Sequence, residues 1–230
     1  EALNNDMPYD KFVRRQIAGD ALPDAPDSAA LGTGFLLAGQ DMPDINDQDE
    51  RSHVKLNEMT STVGAVFMGL TLECAACHDH KYDPVTQRDF YALRSVFANP
   101  VFPKRDKPLG HVIDEPGAKV RPQHVMVRGD FRRPGDVVEP GFLPVISRGD
   151  ATVPPPPDGA KSSMRRKALA DWLTQPDHPL TSRVIVNRLW QHYFNQPIVE
   201  TPSDFGAIGA RPSHPDLLDW LATELIGRGW

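Results

Sequence analysis

Apolar residues recur at helical spacing over the first part of the chain. Intervals of three and four positions predict a long helix over about residues 49–70 with one buried face. That face consists of Leu56, Met59, Val63, Phe67 and Leu70. An earlier helix, capped by Asp6, is predicted by a second apolar stripe of Tyr9, Phe12, Val13 and Ile17. A third helix is predicted to follow the capping box TQRD at residues 86–89.

The middle of the chain has a different pattern. Residues 100–160 contain 12 of the 23 prolines, which excludes long helices there. Within this segment QHVMVR (residues 123–128) alternates like a strand, and a turn at 133–136 leads to a second strand at Val137 and Val138. The proline run at 154–157 is a stiff spacer that marks a boundary. We therefore predict a short β-hairpin inside a Pro-rich connector.

Helical patterning returns after the spacer. Ser162 or Ser163, Thr181 and Ser213 are the predicted caps of three helices. The second has a wide apolar face of Val186, Leu189, Trp190, Tyr193 and Phe194, and an opposite polar face of Asn187, Arg188, Gln191 and His192. The fold class is therefore mainly α, with two helical parts and a small β-hairpin-containing, Pro-rich middle segment. The predicted divisions are residues 1–100, 101–157 and 158–230.

Composition narrows the function classes. Of the 230 residues 40% are hydrophobic and 24% charged, which is ordinary for a globular protein. With a net charge of −6 and basic residues scattered singly or in short clusters, we expect no nucleic-acid partner. No apolar run reaches the roughly 18 residues of a membrane span. The chain begins without Met and ends on Trp230 directly after a helix, with nothing to bury that side chain, so we interpret it as part of a longer protein whose signal peptide lies outside this segment.

The candidate chemistry lies in LECAACHDHKYDP (residues 72–84), which contains both cysteines of the chain. Covalent haem attachment needs two thiols three positions apart, each adding to a vinyl group, and a His directly after the second as axial ligand. Cys74, Cys77 and His78 provide this arrangement. The residues that follow, 79–84, are interpreted as a turn into the third helix.

Two other interpretations remain open for the same residues. Cys74, Cys77 and His80 have a spacing that suits three ligands of a zinc site, with Asp83 or a distant His as the fourth. The plainer alternative is a local disulfide or two buried thiols. A thioredoxin-like motif is disfavoured, because no strand-then-helix pattern frames the cysteines.

A haem iron at this site would need a ligand on its far side or would remain five-coordinate. Met126 and His192 are the candidates for this distal position, ahead of His124 and Met68. For the methionines we favour a role as core fillers, and for His192 packing beside its polar neighbours. His80 is too close in sequence to His78 to reach the opposite face of the same ring.

The quoted motif also resembles a known family. GLTLECAACHDHKYDPVTQRDFYALRSVF and MPYDKFVRRQIAGD are similar to the cytochrome-c-like domain characteristic of planctomycetes. LADWLTQPDHPLTSRVIVNRLWQHYF and TPSDFGAIGARPSHPDLLDWL resemble the partner domain that usually follows it, and VRGDFRRPGDVVEPGFLP resembles that partner's leading segment. The resemblance implies a secreted or periplasmic multidomain protein of c-type haem character, often encoded near genes for polysaccharide breakdown. It assigns Cys74 and Cys77 as thioether cysteines and His78 as the axial ligand.

Two function hypotheses follow. The first is an electron-transfer module with haem c that exchanges electrons with a redox partner protein, and is not an enzyme by itself. The second is a binding or scaffold module, with zinc or no cofactor at the cysteines, whose polar face at 187–192 and tryptophans contact a glycan or a neighbouring domain. For that polar face we favour an interdomain hydrogen-bond network over a ligand site, and for Trp172 and Trp190 we favour burial.

Overall fold

The computed structural model describes residues 1–39, 44–98, 113, 115 and 117–230. Among these residues it contains six α-helices and one two-stranded antiparallel sheet. The helices are α1 (Tyr9–Ala18), α2 (Gln48–Val63), α3 (Gln87–Arg94), α4 (Arg165–Leu173), α5 (Thr181–Phe194) and α6 (Pro215–Gly227), and the strands are β1 (Gln123–Met126) and β2 (Pro134–Val138). The predicted mainly α fold with a small hairpin is confirmed. Residues 101–112, 114 and 116 of the predicted connector lie outside the described residues.

The predicted long helix is present as α2 and its extension. The Asp47 side chain caps it by accepting from the amides of Asp49 and Glu50. After α2 the chain makes one π-helical turn, Gly64–Met68, and stops at Gly69, whose φ of +61° is left-handed. All five residues of the predicted apolar face are buried. In α1 the cap prediction is wrong, because Pro8 occupies the N-cap position and Asp6 lies outside the helix with a φ of +49°.

The hairpin is confirmed, and β2 begins three residues earlier than predicted. Pairing joins Gln123 to Val138 and is irregular between His124 and Met126. The reversal occupies residues 127–133 rather than 133–136. Within it Gly129 has a left-handed φ of +75°, and the Asp130 carboxylate accepts from the amide of Arg132. This aspartate turn closes the hairpin before the chain reaches the predicted position.

One hydrophobic core joins both sides of the Pro-rich segment. It combines buried residues of α1, α2, α3, the hairpin and α4, with Val13, Val63, Phe90, Val138 and Leu169 among them. A buried ion-pair network supports the same junction. Arg166 of α4 binds the Asp20 carboxylate at 2.6 and 2.7 Å and the Glu115 carboxylate at 3.3 Å. The helix after the proline spacer therefore packs on the N-terminal helices.

The predicted caps of the last three helices are wrong. Met164, Leu180 and His214 hold the N-cap positions. The serines and the threonine have other partners: Ser163 donates to Glu115, and Ser213 donates to the Ile198 carbonyl. At α5 the imidazole of His178 does part of the capping, because its Nδ1 accepts from the amide of Thr181. Each of the predicted capping hydroxyls bonds to a group outside its helix, and the Ser163 hydroxyl also accepts a long hydrogen bond from the Arg165 amide at 3.4 Å.

The apolar face of α5 is only partly covered. Val186 is buried against Leu218 of α6 and the chain at 198–199, in a second, smaller cluster. Leu189, Tyr193 and Phe194 are exposed and line an open groove of about 400 Å³, together with α6 residues. Trp190 is half-buried in this groove, whereas Trp172 is buried and stacks on Phe142 at 4.9 Å, so the burial predicted for both is complete only for Trp172.

Trp230 has a contact that the sequence did not predict. Its ring stacks on Tyr9 at 6.3 Å, and its carbonyl accepts from the Tyr9 amide at 3.1 Å. The last residue of the chain thus lies against the start of α1. Across the described part of the chain, no helix combines the length and apolarity that crossing a bilayer requires.

Candidate functional site

The motif CAACH (residues 74–78) begins inside a short 3₁₀-helix, Leu72–Ala76, that ends at Cys77. A 3₁₀-helix has three residues per turn, so side chains three apart lie on one face. Cys74 and Cys77 therefore point the same way, and both thiols are free and exposed. Ala75 and Ala76 face the core and are buried. The prediction of buried thiols is wrong.

His78 is exposed and held in a defined orientation. Its Nδ1 lies 2.6 Å from the carbonyl oxygen of Asp79. A carbonyl oxygen only accepts, so Nδ1 donates in this contact, and in the neutral imidazole Nε2 then has the lone pair. Histidines that bind metals commonly have this arrangement, in which one ring nitrogen donates to the protein and the other binds the metal. The geometry of His78 thus fits an axial ligand.

Helix α3 holds the main chain of the motif. The Ala76 carbonyl accepts from the Tyr91 hydroxyl at 3.0 Å and from Gln87 Nε2 at 2.9 Å. Asp79 in turn accepts from the Gln87 amide at 2.7 Å. Helix α3 is itself fixed by the predicted capping box of Thr86 and Asp89, which is confirmed. The middle of the motif and the residue that follows it are therefore bound to the first two turns of one helix.

The hairpin turn lies against Cys77. A Cβ built on Gly129 would come 2.6 Å from the Cys77 sulfur, closer than real contacts allow. The left-handed φ of Gly129 is also unfavourable for other residues. Only glycine satisfies both conditions, so the contact with Cys77 explains why residue 129 is a glycine.

A buried cationic group lies behind the motif. The Arg94 guanidinium is buried and stands 5.4 Å from the Tyr91 ring, and its Nη2 lies 3.3 Å from His53 Nδ1. Burial lowers the pKa of Arg94 to about 10, which leaves it charged at neutral pH. Burial and then the Arg94 charge lower the pKa of His53 to about 4, and burial raises the pKa of Tyr91 to about 12. At neutral pH the charged Arg94 therefore lies behind the motif between two uncharged side chains, those of His53 and Tyr91.

The residues after the motif form the predicted turn. The His80 amide donates to the Val85 carbonyl at 2.8 Å, and His80 Nδ1 accepts from the Asp83 amide at 2.9 Å. The Asp83 carboxylate accepts from the amide of Ala207 at 2.6 Å. Within the described residues, no three His, Cys, Asp or Glu side chains are grouped closely enough to hold a metal ion. In this structure His80 stabilises the turn through these hydrogen bonds. The zinc site of Cys74, Cys77 and His80 stays a prediction.

The two distal-ligand candidates lie in different surroundings. The Met126 carbonyl accepts from Gln87 Nε2 at 2.9 Å, the same group that binds Ala76, so the Met126 main chain lies near the motif. His192 is exposed in the last turn of α5. Of the others, His124 bonds to the Gly135 carbonyl and Met68 is fully buried in the core. The choice between Met126 and His192 stays a prediction.

The polar face of α5 is used inside the protein. Asn187 exchanges two hydrogen bonds with the main chain of Val199, at 2.8 and 3.0 Å. Arg188 donates to the carbonyls of Ala65 and Val66 at 2.8 and 2.5 Å. The predicted interdomain network is confirmed for Arg188, whose bonds reach the helical turn that leads into the motif. The Asn187 bonds stay within residues 158–230. Gln191 is half-buried on the same face.

Comparisons with known protein families find a match for each end of the chain. Residues 1–101 match PSCyt2, described as a protein of unknown function (DUF1549). Residues 165–230 match PSD1, described as a protein of unknown function (DUF1553). The two ends are similar to PSCyt2 and PSD1. These are the planctomycete cytochrome-like domain and its partner domain, in the order that the sequence resemblance implied. No curated protein and no solved structure matches the chain significantly.

The contacts of the site cross the boundary between these matches. CAACH lies in the PSCyt2-matching segment, while Arg188 and Ala207 lie in the PSD1-matching segment. Sequence reasoning missed His53, Arg94 and Gly129 as neighbours of the motif, and for Asp83 it missed the contact with Ala207. Their contacts join positions far apart in the chain, so no local spacing reveals them. The glycine at 129 was the one available hint, since a glycine in a hairpin turn often marks a left-handed residue.

Proposed function

We propose that this protein attaches haem covalently at Cys74 and Cys77, with His78 as the axial ligand, and exchanges electrons with a partner protein. One observation carries the proposal: two exposed thiols on one face of a 3₁₀ turn adjoin a histidine whose Nδ1 is committed to the Asp79 carbonyl. The match of the surrounding residues to PSCyt2 supports it. The proposed location is extracytoplasmic, as the family resemblance implies.

Each residue of the site has a proposed task. Cys74 and Cys77 would form the two thioether bonds, and Nε2 of His78 would bind the iron. Bound haem would supply reversible one-electron transfer between the ferrous and ferric states. Buried Phe67, Leu70 and Leu72 provide an apolar wall before the motif. Met126 and His192 remain the candidates for the far side of the iron.

The surroundings of the motif would also set the reduction potential. Arg94 places a buried positive charge behind Tyr91, and the described residues offer it no carboxylate partner. A nearby positive charge disfavours the ferric state, which carries one more positive charge than the ferrous state. Arg94 would therefore raise the potential, and His53, with its lowered pKa, would add no second charge at neutral pH. This tuning belongs to the electron-transfer proposal.

A scaffold role is the second candidate. The observation that favours it is the number of hydrogen bonds between the PSD1-matching segment and the residues around CAACH. In this case the cysteines would hold zinc with His80, or form a disulfide, and the protein would bind a glycan or another domain. The proposed link to polysaccharide breakdown is compatible with both candidate functions.

The decisive experiment is expression with export and haem-maturation machinery, followed by a pyridine haemochrome spectrum and metal analysis. We expect one covalent haem and one iron per chain, with colour that survives acid–acetone extraction. Cys77→Ser should lose one thioether bond and shift the haemochrome band, whereas His214→Gln, at the exposed histidine just before α6, should change nothing. Zinc, or a disulfide without metal, would reject the electron-transfer proposal in favour of the scaffold.

A further inference from the structure

The residues just before CAACH are bound by the PSD1-matching segment. The last turns of a helix leave carbonyl groups without partners inside the helix. Here the Arg188 guanidinium donates to the carbonyls of Ala65 and Val66 in the π-helical turn. The Gly69 carbonyl accepts from the Phe205 amide at 2.6 Å. A Cβ at Gly69 would come 2.8 Å from the Phe205 ring, so this glycine allows both the turn and the contact.

The residues just after CAACH are bound by the same segment. Asp83 is buried, and its carboxylate accepts from the Ala207 amide at 2.6 Å. Gly206 lies directly against this carboxylate, since a Cβ there would be 2.5 Å from an Asp83 oxygen. Charge-assisted hydrogen bonds of this kind are about twice as strong as neutral ones. Three consecutive residues, 205–207, thus contact both flanks of the motif.

The loop that makes these contacts is ordered by its own hydrogen bonds. We call residues 201–210 the clamp loop. The Thr201 hydroxyl donates to the Asp204 carbonyl at 2.6 Å and accepts from the Ala210 amide at 2.9 Å. The Asp204 side chain accepts from the Gly206 amide at 2.9 Å. Arg188 also reaches the Pro202 carbonyl at 3.3 Å, which joins the loop to α5. The clamp loop therefore presents residues 205–207 in a fixed arrangement.

We infer that the clamp loop positions CAACH, with Asp83 and Arg188 as the positioning residues on its two flanks. The motif spans a short 3₁₀ turn and an exposed loop, and such segments open easily on their own. Attachment at both ends, 69 and 83, restricts how Cys74, Cys77 and His78 can move relative to one another. The functional site is thus built by both matched segments. The inference deepens the proposed function, and its consequence for haem rests on that proposal.

The test is hydrogen–deuterium exchange, followed by mass spectrometry, on the whole chain in its reduced form without haem. In Asp83→Ala, amides in residues 70–85 and in the clamp loop should exchange about tenfold faster, because the Ala207 amide loses its acceptor. Asp83→Asn keeps an acceptor oxygen and should restore most of the protection. Peptides from α1 and α4 should be unchanged in both variants.

A second variant tests the other flank and decides the matter if Asp83→Ala does not fold. Arg188→Met should speed exchange around residues 64–80. Arg183→Met is its matched control, since Arg183 lies on the same helix and bonds within the PSD1-matching segment, to Asp219 and Pro179. Faster exchange in the clamp loop alone, or an equal increase in every peptide, would overturn the inference.

The result separates this inference from the proposed function. A colourless protein that shows the predicted exchange pattern would support the clamp and reject the haem. If haem is attached, Asp83→Ala should also shift the Soret band or the reduction potential, and Asp83→Asn should restore them. A loaded protein whose exchange pattern and spectrum ignore both substitutions would reject the clamp and leave the haem standing.

Discussion

At the scale of single residues, Gly129 shows how closely the hairpin turn and the motif fit together. Its left-handed backbone and its approach to the Cys77 sulfur each exclude a side chain. Gly129→Ala should therefore destabilise the protein by more than the roughly 1 kcal/mol of an unfavourable φ alone. Urea unfolding measures the loss. Gly159→Ala is the control, since Gly159 has a φ of +77° with open space around it; equal losses would show that the sulfur contact adds nothing.

His178 makes stability depend on pH. Burial lowers its pKa to about 4. Its Nδ1 accepts from the Thr181 amide at the start of α5, and the described residues offer its Nε2 no hydrogen-bond partner. The unfolded chain binds this proton at its ordinary pKa of about 6.5. The contribution to stability is therefore complete above about pH 6.5 and falls as the pH drops toward 4, by at most about 3 kcal/mol. His53 acts in the same direction.

The measurement is the free energy of unfolding in urea at about pH 7 and about pH 5. His178→Asn keeps an acceptor for the Thr181 amide and removes the titration, so its stability should fall less between the two conditions. His192→Asn, at an exposed histidine within α5, should keep the wild-type difference. An unchanged difference in His178→Asn would contradict the assignment.

At the scale of elements, the capping box of α3 supports the site. The Thr86 hydroxyl accepts from the Asp89 amide at 3.1 Å, and the Asp89 carboxylate accepts from the Thr86 amide at 2.8 Å. Thr86→Ala should lower the free energy of unfolding by about 1 kcal/mol. Ser28→Ala, at an exposed serine, is the control and should change it by a few tenths at most. A Thr86→Ala variant as stable as the control would show that packing alone fixes α3.

Helix positions followed from periodicity, while most helix caps did not. The stripe of α2 could be predicted because burial of one face repeats at the helical period. Caps depend on which partner a hydroxyl finds. Ser163 binds Glu115 and Ser213 binds Ile198, and neither partner is near in sequence. Thr86 was predicted correctly because both members of its capping box lie within four residues.

The same distinction applies to the site. Cys74, Cys77 and His78 could be identified because the motif is local. Asp83 was assigned to a turn, and its contact with Ala207 spans 124 positions. The side chains of His53 and Arg94 are in contact although they lie 41 positions apart, and no sequence motif predicts this contact. The residues of a local motif could therefore be predicted from the sequence, whereas the distant groups that hold the motif in place could not.

At the scale of the whole molecule, the Arg166 network joins three distant segments. Arg166 is almost fully buried and binds the carboxylates of Asp20 and Glu115, while Ser163 donates to Glu115. Arg166→Met would leave two carboxylates without their cation and should cost about 3–5 kcal/mol. Arg228→Met, at an exposed pair with Glu224, should cost less than about 1 kcal/mol. Similar losses in the two variants, measured in urea, would contradict a structural role for the network.

That the two cysteines of CAACH carry haem is a claim that the intact mass of the exported, matured protein can decide. We expect a mass increase of one haem per chain, with neither Cys74 nor Cys77 open to alkylation after denaturation and reduction. The increase should map to the peptide that contains both residues. A chain at its unmodified mass, with both thiols alkylated after reduction, would contradict the claim.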